Sequence, residues 1–150
     1  MRAVFVVFVL MLPALLHAKD GDLRVGRVEA RLYLHDTGTL SAPISPNTAL
    51  WNTIIGEGEA LEPSTSTLVD VVVEGAPGSF DASRKVQLMV ASSTNGKVTA
   101  RMSKGVGVIS QSGVSHVAFW LPETGCEPLT ITATIGATSK KLDLPFACGE

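Results

Sequence analysis

Histidines, cysteines and clustered carboxylates are the side chains here that could do chemistry. The sequence holds three histidines and two cysteines. A nucleophilic triad on His116 needs a hydroxyl and a carboxylate converging on one imidazole. Ser115 is the adjacent hydroxyl, but consecutive strand residues point to opposite faces. The H-E-x-x-H, G-x-S-x-G, phosphate-loop and dinucleotide-glycine patterns are all missing. His35 and His116 therefore read as packed or half-exposed side chains, and the chain is expected not to be an enzyme. A hydrolase with an unrecognised site is the least favoured reading.

Glu57, Glu59 and Glu62 cluster around Gly56, Gly58 and Pro63. Carboxylates on such a loop are weak calcium candidates, since that ion takes about six to eight oxygens and no EF-hand spacing is present. A solvated acidic loop is the expectation, with no metal and no cofactor. Cys126 and Cys148 are too far apart for a zinc C-x-x-C pair. In an oxidising compartment they are expected to form one disulfide.

The compartment follows from the first residues. Met1 and Arg2 precede an apolar run, Ala3 to Leu16, that ends in Leu16-His17-Ala18 before Lys19-Asp20. Residues 1–18 read as a signal peptide cleaved after Ala18, being shorter than the roughly 20 residues a bilayer span needs. The expected location is periplasmic or secreted, with no transmembrane segment after cleavage. Losing Arg2 leaves 11 basic and 14 acidic residues, a net charge of −3. That is too mild to imply a nucleic-acid partner.

Residues 19–150 are expected to form a single domain. Apolar and polar residues alternate in short runs broken by Gly, Pro, Asn and Ser, the pattern of strands and turns. Val28, Ala30, Leu32 and Leu34 mark one strand, and Val69, Val71 and Val73 another. Lys85–Ala91 and Lys97–Ser103 form a hairpin around Asn95-Gly96. Equal arms place Val90 near Val98 and Leu88 near Ala100, leaving Lys85, Gln87, Met89, Thr99 and Arg101 outward. Gly105–Ile109 reads as a short edge segment. Val114–Leu121 reads as a central strand. In the last hairpin, matched apolar faces pair Leu129 with Phe146, Ile131 with Leu144 and Ala133 with Leu142. Cys126 then falls on the wrong face for Cys148, so a bulge at Cys126-Glu127-Pro128 is expected to turn it inward.

Residues 46–55 depart from this pattern. Ser45 as cap, Pro46 as first residue and Gly56 as stop suggest a short helix or helical turn, while Thr53, Ile54 and Ile55 suggest an extra strand. Seven or eight strands with such turns read as an all-β, two-layer antiparallel sandwich. The strand pattern resembles that of immunoglobulin-like and fibronectin-like domains. The resemblance is one of architecture and carries no functional residue with it.

From Leu32 to Ser83 there are seven acids and no lysine or arginine, whereas Arg84, Lys85, Lys97, Arg101 and Lys104 crowd one hairpin. The leading expectation is a non-enzymatic interaction or structural module of the cell envelope, binding another envelope or secreted protein. Lys85, Arg101 and Trp51 are its candidate contacts. The alternative is a small-ligand or glycan-binding module using the Trp51 loop.

Overall fold

The computed structural model describes residues 23–149, so the expected signal peptide lies outside the described residues. Eight strands form two four-stranded antiparallel sheets. The first sheet has the order β2-β1-β3-β6, from β1 (Arg24–Leu34), β2 (Thr39–Leu40), β3 (Ser66–Glu74) and β6 (Val114–Pro122). The second has the order β5-β4-β7-β8, from β4 (Lys85–Ser92), β5 (Val98–Gly105), β7 (Leu129–Ile135) and β8 (Thr138–Leu144). The β-sandwich expected from the alternation is the observed fold. Among the described residues no helix is long and apolar enough to cross a membrane.

Burial selects the faces. Val69, Val71 and Val73 of β3, Val117, Phe119 and Leu121 of β6, Val86, Leu88 and Val90 of β4, and Leu129, Ile131, Ala133 and Ile135 of β7 fill the core between the sheets. Each set repeats every second residue, so one face of each strand is dry.

The registers differ from expectation by two residues in both hairpins. In the β4–β5 hairpin Val90 faces Ala100 and Leu88 faces Met102. The turn closes on Ser92, whose amide donates to the Lys97 carbonyl at 2.9 Å. A regular ladder from that turn would set Val90 against Thr99. The register instead shifts between Val90 and Ala91, which faces Val98. Thr99 is the extra residue of that bulge, and apolar meets apolar again beyond it. In the last hairpin Leu129 faces Leu144 and Ile131 faces Leu142. Ile135 pairs directly with Thr138, leaving Gly136 and Ala137 as the whole turn, with Gly136 at φ 53°. Phe146 lies beyond β8 yet stays buried.

Three further expectations change. The strand read as central, β6, is an edge strand. Its buried row of Val117, Phe119 and Leu121 shows one dry face, which central and edge strands share. Residues 46–55 form no helix from Pro46; a single 3-10 turn spans Thr53–Ile55 after Asn52, and Gly56 ends it. Cys126 sits in the loop between β6 and β7 rather than in a strand bulge. In the expected edge segment, Gly105 ends β5 opposite Lys85, and beyond it Val108 makes an isolated bridge to Phe80.

Candidate functional site

The 41–65 connection, the 123–128 loop and the tail after β8 meet at one end of the sandwich. Cys126 and Cys148 are joined there, with Cα atoms 4.8 Å apart. Leu50 is buried and anchors the long connection. Trp51 then pairs in parallel with Ala147. The Asn52 amide donates to the Ala147 carbonyl at 2.8 Å, and the Ala147 amide to the Leu50 carbonyl at 3.0 Å.

Asn52 does the local bracing. Its backbone is left-handed, φ 47°, which asparagine tolerates better than most residues. Its side-chain nitrogen donates to Glu57 Oε2 at 2.7 Å, and its oxygen accepts from the Gly149 amide at 3.0 Å. Gly149 packs against the Trp51 indole, where a Cβ would overlap the ring. The Ser64 amide donates to the Thr53 carbonyl at 2.8 Å, and the Thr124 amide to the Thr65 carbonyl at 3.0 Å. The hydroxyls of Thr67 and Thr124 share a buried hydrogen bond of 2.8 Å.

This braced loop presents apolar side chains to solvent. Trp51 is 45% exposed, Ile54 39%, Ile55 61% and Leu61 83%. An isolated exposed apolar residue needs no explanation, but four in one connection do. Leu61 is also left-handed, φ 59°, a conformation costing an L-residue about 1–2 kcal/mol. The non-glycine residues with positive φ among the described residues are Asn52, Leu61 and Glu123. All lie at this end, which makes it the candidate surface, since backbone strain tends to cluster at functional sites. Sequence reading singled out Trp51 and missed Leu61, because nothing in Ala60-Leu61-Glu62 announces a left-handed backbone.

The acids of the loop serve it individually. Glu57 receives Asn52, and Glu62 Oε2 accepts from both the amide and the hydroxyl of Thr37 at 3.0 Å. The Glu59 amide donates to the Ala49 carbonyl at 3.2 Å. Among the described residues no three His, Cys, Asp or Glu side chains are grouped as a metal ion would require.

Lys85, Arg101 and Trp51 do not share a surface. Lys85 starts β4 at the opposite end of the sandwich from Trp51. Arg101 lies midway along β5 on the outer face of the second sheet, opposite Met89, with Nη1 3.2 Å from the Met89 sulfur. The ladder β5-β4-β7-β8 places Thr132 and Lys141 in the same row.

The histidines are on the first sheet's side. His116 Nδ1 lies 2.6 Å from Asp70 Oδ2, an exposed diagonal pair across β3 and β6. The Ser115 hydroxyl points to the other face and donates to the Val106 carbonyl at 2.7 Å. His35 Nε2 lies 3.1 Å from the Thr65 hydroxyl. Trp120 stands 44% exposed, edge-on to Tyr33 at 5.3 Å between ring centroids.

In comparison with known proteins, no family model matches this chain and no curated protein matches its sequence.

Proposed function

We propose that this chain is a non-enzymatic interaction module of the cell envelope, exported to the periplasm or beyond, and that the disulfide-clamped loop end is its protein-binding surface. The observation that carries the reading is Leu61: a large apolar side chain, 83% exposed, on a left-handed backbone. Folding alone favours neither property. A partner that receives the side chain in an apolar pocket explains both, because burial of a leucine contributes about 1.5–3 kcal/mol. Glu57, Glu59 and Glu62 flank it in sequence, and residues 41–65 hold no lysine or arginine. The fitting partner is a protein with an apolar pocket rimmed by basic side chains. The disulfide supports the exported setting.

Photo-crosslinking tests this. A photoreactive side chain placed at Leu61 should capture a discrete partner in the envelope, and one placed at Lys141 should not. Capture at Lys141 alone, or at neither position, would refute the loop as the binding surface.

A second reading, a glycan stacked on Trp51, is favoured by one observation: the indole is half exposed and packed against Gly149. Tryptophan fluorescence that stays constant across a panel of glycans would remove it.

A further inference from the structure

The second sheet is wider than the first. It has four strands of seven or eight residues, whereas the first has three long strands and the two-residue β2. β1 packs over β8 and β7, and β6 touches β5. The inner row of β5 is consequently half covered. Ala100 and Met102 are only partly buried, while Val86, Leu88 and Val90 of the neighbouring β4 are fully buried. A groove of about 380 Å³ opens along this seam, lined in part by Ala100, Met102, Trp120, Leu121 and Leu129.

The other wall of the seam is the free edge of β6. The Val114 amide and carbonyl both bond Ser110, on the side away from β3. The Ala118 carbonyl also points away from β3, to Lys104 Nζ at 2.6 Å. Antiparallel ladders alternate every two residues, so the amides and carbonyls of His116, Ala118 and Trp120 all face the open edge. Of these groups the Ala118 carbonyl has a partner, the Lys104 ammonium. Natural edges are blunted by bulges, prolines or charges of their own. β6 is nine residues long, carries no lysine, arginine or carboxylate, and has proline only at its last position.

We propose that the β6 edge accepts an extended segment of a partner protein as an added strand. Its backbone would bond His116, Ala118 and Trp120, and its inward row of alternate apolar side chains would cover Ala100 and Met102. Charge specifies the segment further. Strand addition gives the Ala118 carbonyl a backbone N–H and frees Lys104. Lys104 reaches this seam and lies over the Phe119 ring, whereas Arg101 is on the outer face of the sheet and Glu123 and Glu127 line the loop end of the groove. The segment therefore carries an acidic side chain on its inner row, opposite Phe119 and beside Ala118, that receives Lys104. This surface is separate from the Leu61 loop, and the two proposals stand or fall independently.

The probe is a nine-residue peptide of alternating threonine and valine with one inner-row valine replaced by aspartate. Its controls carry lysine at that position, or N-methylated amides that cannot donate. Binding is read by amide hydrogen exchange. The aspartate peptide should slow exchange at His116, Ala118 and Trp120 at least tenfold and bind about tenfold more tightly than the lysine peptide. The N-methylated peptide should do neither. Ala118→Pro removes an edge donor and should abolish binding with the circular dichroism unchanged; Leu61→Asn should leave binding intact. If Ala118→Pro misfolds, the N-methylated control decides alone. Unchanged exchange at millimolar peptide, or equal affinity for the aspartate and lysine peptides, would overturn the proposal. So would protection that rises with protein concentration without peptide, since a second copy would then occupy the edge.

Discussion

The side-chain oxygen of Asn52 accepts the Gly149 amide at 3.0 Å, joining positions 97 residues apart. The same side chain holds Glu57, and its backbone is left-handed. Asn52→Ala removes both hydrogen bonds, each worth about 1 kcal/mol, and puts alanine in a conformation that costs it about 1 kcal/mol more. Urea unfolding should show a loss of about 2–3 kcal/mol. Asn52→Gly keeps the backbone at ease and should lose about 1 kcal/mol less. Equal losses in the two variants would show that the turn carries no strain.

The Cys126–Cys148 bridge spans a sequence separation of 22. In the chain-entropy account such a loop contributes about 3 kcal/mol. The double variant Cys126→Ser, Cys148→Ser should fall in stability by about that amount, and exchange at the Asn52 and Ala147 amides should rise before exchange in β3 or β7. A uniform rise across all strands would mean that the bridge supports the sandwich rather than its loop end.

Thr99 is the surplus residue of the β4–β5 hairpin. Its hydroxyl donates to the Val90 carbonyl at 3.3 Å, and its neighbours Val98 and Ala100 face Ala91 and Val90. Deleting Thr99 leaves Ser92 closing on Lys97 and Val90 facing Ala100 in an unbroken ladder. The deletion should change stability by no more than about 1 kcal/mol, and the Val90–Ala100 nuclear Overhauser contact should persist. A loss of several kcal/mol would place the extra residue elsewhere.

Those hairpins show what sequence can convey. The faces of β4, β7 and β8, and of β5 beyond its bulge, were legible, because burying Ile131 while exposing Thr132 fixes parity; Val98, expected on the face of Ala100, lies opposite the outward Ala91. The offset along the strand was not, since every two-residue slide preserves parity and only the turn decides it. Gly136-Ala137 closes more tightly than Gly136–Ser139 suggests, and the Thr99 bulge leaves no mark on composition. The edge position of β6 was hidden for a related reason: Val117, Phe119 and Leu121 report one dry face and say nothing of the strand's sides. The disulfide pairing was legible from two cysteines alone. The loop it clamps was not, because Trp51, Asn52 and Leu61 are placed by hydrogen bonds to distant residues such as Ala147 and Gly149.

Asp81 offers a pH-dependent test. The Ser83 hydroxyl donates to its Oδ1 at 2.6 Å and the Ser83 amide at 2.8 Å, with Arg84 Nε 3.4 Å from Oδ2. The Ser83 hydroxyl foremost and then its amide, with lesser contributions from Arg84, hold the Asp81 carboxyl below the usual carboxylate range against an opposing desolvation. A carboxylate depressed on folding stabilises the folded state above its unfolded value of about 4. That contribution is lost as pH falls through the lower folded value. Carbon-detected titration should find Asp81 titrating below ordinary aspartates, and Ser83→Ala should move it upward. The stability gap between the native chain and Asp81→Asn should close as pH falls; a gap independent of pH would contradict the assignment.

Leu61 separates folding from binding. Asparagine occupies left-handed backbone with less strain than leucine, and the exposed side chain contributes nothing to the core. Leu61→Asn should therefore raise stability by about 1 kcal/mol. The same change removes the apolar group that a partner pocket would receive. In competition, excess native chain should suppress the Leu61 photo-crosslink, and excess Leu61→Asn should fail to suppress it. Thermal unfolding and competition must therefore move in opposite directions. A variant that gains stability and competes as well as the native chain would show that Leu61 is strained without serving recognition.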